Sequence, residues 1–93
     1  MKVQFFAYYR DPEYAGFKET QIPAVATLRD FGNVIGELYG EKFKSEFFSA
    51  DMNAIGEKTI VLVNGRRVEF LKGIDTELKD SDTVMVFPVV AGG

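Results

Sequence analysis

The sequence predicts a single α+β domain over residues 1–93, a mixed sheet of four or five strands with one main helix packed on one face. The hydrophobic spacing carries this expectation, because it alternates before residue 27, follows a three-and-four spacing after it, and returns to β-branched runs after residue 58. An Asn-Gly pair separates two of those runs, and 46% apolar content over 93 residues is enough for one self-sufficient core.

Val3 to Tyr9 alternates, with Val3, Phe5 and Ala7 on one side and Gln4, Phe6 and Tyr8 on the other, and is expected as the first strand. "RDPEYAG" carries Asp-Pro and Gly as loop punctuation, and "FKETQI" then alternates again as a second, edge-like strand returning in a hairpin. From Thr27 the period becomes helical. Leu28, Phe31, Ile35 and Leu38 form a core stripe, Thr27 suits the N-cap, and Asp30 supplies the acidic third position, so a helix is expected over 28–39, ending near Gly40. Residues 41–58 read as a short helix through Phe43 and Phe47, then a loop. "TIVLVNGRRVEF" is a hairpin closed by Asn64-Gly65, since a type I′ turn needs positive φ at both central residues. Leu71 to Asp82 is a connector closed by "LKDSD", and "TVMVFPVV" is a strand in which Pro88 marks the end of ladder pairing. This order of elements is the ββαββ arrangement of a β-grasp domain.

Composition removes most enzyme chemistry. Without cysteine or histidine there is no disulfide, thiolate nucleophile, imidazole base or ordinary zinc site. A net charge of -3 with scattered Lys and Arg argues against nucleic acid as a partner. No run approaches the roughly 18 apolar residues of a membrane span, and the start does not read as a signal peptide, so a cytoplasmic chain with no membrane partner is expected. Asp80 and Asp82 can be read as paired carboxylates for acid-base work or magnesium. They lie in a turn, where Asp commonly accepts from backbone amides, and a structural role is expected.

The segment "IVLVNGRRVEFLKGIDTELKDSDTVMVFPVVAGG" resembles the C-terminal half of the MoaD/ThiS family of ubiquitin-like sulfur carriers. The likeness is greatest to its MoaD branch, the small subunits of molybdopterin synthase. The carrying features are a strand ending in V-N, a hairpin, an L-x-D-x-D-x-V turn and a terminal F-P-x-V-x-G-G, and "VQFFAYYRD" resembles the family's first strand. Ser81 stands where the family usually has glycine, and Val89 where many members carry a second proline.

The resemblance implies a sulfur carrier whose C-terminal carboxylate, at Gly93, is adenylated by an ATP-using partner and converted to a thiocarboxylate. The partners implied are an activating enzyme of the MoeB/ThiF type and a MoaE-like large subunit of molybdopterin synthase. ATP belongs to the activating partner, and the chain itself is expected to hold no cofactor or metal. Residues 89–93 then serve as a flexible tail, in which Ala91, Gly92 and Gly93 pass a narrow channel without side-chain obstruction. Such a tail needs no side-chain nucleophile, which accounts for the bare composition.

If Val3, Phe5, Ala7, Val84 and Val86 face the helix, alternation sends Phe6, Tyr8, Met85 and Phe87 to a face that one helix leaves uncovered. These are the candidate partner contacts. Arg66 and Arg67 read first as solvated hairpin residues, with Arg67 carried forward as a contact to an acidic or phosphate group. Other readings stay open: a protein modifier conjugated through Gly93, a sulfur carrier for thiamine or tRNA thiolation, or a non-catalytic β-grasp binding domain. An enzyme acting alone is the least supported, because no G-x-x-x-x-G-K-[ST] loop and no nucleophile with a base is present.

Overall fold

The computed structural model describes residues 1–90. Strands β1 (Lys2–Phe5) and β2 (Glu19–Gln21) are followed by helices α1 (Leu28–Tyr39) and α2 (Glu41–Phe47), then β3 (Thr59–Val63), β4 (Arg66–Arg67) and β5 (Thr83–Pro88). Single 3-10 turns cover Ala7–Arg10, Val68–Phe70 and Gly73–Asp75. The sheet order is β2-β1-β5-β3-β4, with β1 and β5 parallel and the other pairs antiparallel, as in a β-grasp domain. Among the described residues no helix is long and apolar enough to cross a membrane.

One face of the sheet makes the core. Val3, Phe5, Val61, Val63, Val84 and Val86 are buried, each alternating with a half-buried residue, as a two-residue side-chain period requires. Leu28, Phe31 and Ile35 of α1, with Phe43 and Phe47 of α2, join them in that core. Thr27 caps α1 as expected: its hydroxyl accepts from the Asp30 amide at 3.4 Å and donates to the Asp30 carboxylate at 3.2 Å. Gly40, at φ 101°, lets the chain turn directly into α2. Asn64 and Gly65 have φ of 53° and 82°, which is the type I′ geometry expected of the β3–β4 hairpin.

Two expectations are corrected. The first strand ends at Phe5 rather than Tyr9. Ala7, expected toward the helix, is exposed at φ 51°, and Tyr9 is the residue that enters the core. The turn forms because the Phe6 amide donates to Val86 at 3.1 Å, the Arg10 Nε donates to the Phe5 carbonyl at 2.7 Å, and Tyr9 finds ring contact with Phe43 at 4.5 Å. The second correction is Leu38, expected in the core stripe and 57% exposed. Phe43 of α2 comes in beside the last turn of α1, so Tyr39 takes the inner position against Phe5 and Phe43 and Leu38 is left to solvent.

Candidate functional site: the second sheet face and the root of the tail

The face opposite the helices carries Ile60 and Leu62 of β3 with Met85 and Phe87 of β5, all half-buried. Register places Phe87 opposite Ile60, and Met85 between Gln4 and Leu62. Phe6, just past β1, lies flat on Phe87 with ring centroids 4.1 Å apart and planes 8° from parallel. The Arg10 guanidinium covers the Phe6 ring at 5.1 Å while its Nε is held by the Phe5 carbonyl. No carboxylate of the described residues pairs with it within 4.0 Å. The result is a stack of guanidinium and two rings on an apolar sheet face, a geometry suited to contact with another surface.

Of the residues singled out from the sequence, Phe6, Met85 and Phe87 meet on this face. Tyr8 does not follow them, because the turn at Ala7 breaks the alternation. Its hydroxyl donates to Glu46 on α2 at 3.0 Å, and its ring packs beside Tyr9 and Tyr14. Arg67 is opposite Leu62 at the sheet edge, and its guanidinium is engaged by Glu69 at 2.6 Å. Asp82 takes the structural role expected of it: its carboxylate accepts from the Asn64 side-chain amide and from the Lys79 backbone amide, both at 2.8 Å. Asp80 accepts from the Ala24 amide at 3.2 Å.

β5 runs past Phe87 to Pro88, and the ladder continues one residue further than expected, since the Val89 amide donates to the Lys58 carbonyl at 2.8 Å. Val89 and Val90 are exposed and line a cleft of about 520 Å³ with Tyr8, Glu57 and Lys58. Ala91, Gly92 and Gly93 lie outside the described residues, and so does the expectation of a free, flexible end there. Burial, then the Glu46 carboxylate, pushes the Tyr8 and Tyr14 phenols above their ordinary pKa, and burial does the same to Tyr9, so all three keep their protons further into the alkaline range than a free phenol does.

Sequence reasoning missed Arg10, Glu46, Ile60 and Leu62. The alternation within "TIVLV" was signal enough for Ile60 and Leu62, but with apolar residues on both sides it does not say which side is covered. Arg10 and Glu46 act through residues distant in the chain or through a turn that no local motif announces.

The sequence profile of the ThiS family matches residues 3–93. A provisional sulfur carrier protein of Archaeoglobus fulgidus is 46% identical over 33 residues, 36% of this chain and 38% of that protein, so the match spans little more than a third of that curated relative. Two solved structures are similar over nearly the whole chain. The small archaeal modifier protein 1 of Methanosarcina acetivorans is 28% identical with a TM-score of 0.80, covering 99% of this chain and 94% of that one. A provisional molybdopterin converting factor subunit 1 of Pyrococcus furiosus is 39% identical with a TM-score of 0.68, covering 96% and 95%. With its β-grasp order of strands and a family match over almost its full length, the chain belongs to the ThiS family, a group of ubiquitin-like proteins that takes in sulfur carriers and small protein modifiers.

Proposed function

We propose that this chain is a cytoplasmic sulfur carrier for molybdopterin synthesis, working through the carboxylate of Gly93. An activating enzyme of the MoeB/ThiF type supplies ATP. A carboxylate oxygen of Gly93 attacks the α-phosphorus and pyrophosphate leaves; a sulfur nucleophile then displaces AMP, and the thiocarboxylate donates its sulfur within a complex with a MoaE-like large subunit. A terminal carboxylate has a reference pKa of about 3.3–3.7 and is ionised at neutral pH, so the step needs no side-chain base from this chain. The observation that carries the reading is the family match reaching residue 93, with the likeness to a molybdopterin converting factor subunit as the reason for choosing this pathway. Conjugation to protein lysines through Gly93 is the second reading, favoured by the likeness to the archaeal modifier.

The test is pyrophosphate exchange with the cognate activating enzyme. One residue appended after Gly93 moves the carboxylate about 3.5 Å along an extended chain, while reacting atoms must approach to about 3–3.5 Å. Exchange should therefore be lost in the extended form, in the form lacking Gly93, and in Gly92→Val, with unfolding free energy unchanged within about 0.5 kcal/mol. Full exchange by the extended form refutes the reading. Intact mass with a thiol-directed tag, on chain purified from its host, separates a carried sulfur from an isopeptide bond to a second protein.

A further inference from the structure

We infer that Glu46 is a positioning residue for the delivery of Gly93, because it braces two parts of the lining of the cleft through which the chain leaves the sheet. The inference rests on the proposed role of Gly93. One part is Tyr8, whose hydroxyl is held by one Glu46 carboxylate oxygen at 3.0 Å while the Tyr14 hydroxyl takes the other. Glu57 and Lys58 also line the cleft, and the segment that carries them is fixed by the same region of α2. Thr59 donates its hydroxyl to the Glu46 carbonyl at 2.6 Å, so Tyr9, 2.7 Å away, must donate to Thr59. Gly56 donates its amide to Phe47 at 2.7 Å, and a Cβ there would stand 2.4 Å from the Glu46 carbonyl oxygen, so this segment lies directly against α2.

The second part meets the strand where the tail begins. Thr59 is the register partner of Pro88, and Lys58 accepts from the Val89 amide at 2.8 Å. Glu46 therefore reaches the departing strand by two routes, its side chain through Tyr8 and its main chain through Thr59. None of these groups needs to touch the substrate. Their effect is on reach: four residues beyond Val89 span at most about 13–14 Å, so a shift of the root at Val89 shifts the whole region within which the Gly93 carboxylate can meet its target.

Steady-state pyrophosphate exchange with the activating enzyme, using the full chain, tests this with Tyr8→Phe, Glu46→Gln and, as a surface control, Glu13→Gln. Tyr8→Phe removes only the hydroxyl. Glu46→Gln leaves an amide that accepts from one phenol and presents a donor to the other. Both should lower kcat by about tenfold with KM within about twofold, because the second sheet face is untouched and only the placing of the tail's root is lost. Glu13→Gln should behave as the native chain. A rise in KM at constant kcat would make Tyr8 a docking contact and overturn the inference, as would native kcat in Tyr8→Phe. Thermal melts accompany each variant, and if Glu46→Gln fails to fold, the kcat of Tyr8→Phe alone decides. Absence of exchange by the native chain refutes the Gly93 reading itself, and this inference with it; native exchange with indifferent variants refutes this inference alone.

Discussion

Replacing Phe87 by glutamate separates what the second sheet face does for the fold from what it does for a partner. Phe87 is half-buried, stacked on Phe6 at 4.1 Å and opposite Ile60 in the ladder. Losing an aromatic pair costs about 0.5–1.5 kcal/mol beyond area, and the new carboxylate can turn into water on a face that solvent already reaches. With the area lost by the half-buried ring added, stability should fall by about 2 kcal/mol, a shift of about 8–16 °C in Tm for a domain of this size. If Phe87 is a central anchor for the activating enzyme, the same change should cost at least about 2 kcal/mol of binding, roughly a thirtyfold rise in Kd. Val86 gives the contrast: it is fully buried on the other face, and Val86→Glu should fail to fold because an unpaired charge would enter the core. The assay is titration calorimetry of each folded variant against the activating enzyme, beside thermal melts. A collapsed Tm for Phe87→Glu, with the folded fraction binding as the native chain does, would show that the two faces have been assigned backwards.

Asp82→Ala should lower stability by about 3 kcal/mol, since it removes two hydrogen bonds to a buried carboxylate and leaves the Asn64 side chain and the Lys79 amide without their acceptor. Pyrophosphate exchange by the folded fraction should be unchanged, and a selective loss of exchange without loss of stability would restore a chemical role for the acidic turn. Stability should also fall as pH rises above about 10: the unfolded phenols of Tyr8, Tyr9 and Tyr14 lose their protons near the ordinary value of 10.0, whereas the folded ones hold theirs to higher pH. Below that window the folded state has the full benefit, so urea melts across an alkaline pH series should show a decline that Tyr9→Phe lessens. A flat or rising profile would contradict the burial that raises these groups.

What could be read from the sequence was what is decided locally. Thr27 and Asp30 are three residues apart and cap each other, so α1 was legible to within its ends. Asn64-Gly65 needs only its own φ angles, so the β3–β4 hairpin was legible too. The turn at Ala7 was not, because alanine gives no turn signal, and the bonds that make the turn come from Val86 and Arg10. The brace on Glu46 was equally hidden: its two phenols lie 38 and 32 positions away, and nothing about a glutamate on a short helix says which tyrosines will reach it. Leu38 fitted the helical spacing and still went to solvent, because spacing fixes the face of a helix and not how far along its length the core extends.

β5 shows why the candidate contact face was nevertheless within reach. A central strand bonded on both sides has only its side chains left to vary, and their period of two divides them strictly between core and opposite face. Val84 and Val86 are committed to the core; Met85 and Phe87 are not, yet they are as apolar as the residues that are. A strand that needed only to fold could carry polar residues at positions 85 and 87, as β1 does at Lys2 and Gln4. The large apolar side chains at those two positions therefore point to contact with another surface, and they stand on the strand that leads into Val89, Val90 and the terminal glycines. On the proposed function, a partner gripping Met85 and Phe87 would hold the chain six residues from Gly93, and docking and delivery would then run through one continuous strand, with only Pro88 and the bond from Val89 to Lys58 between them.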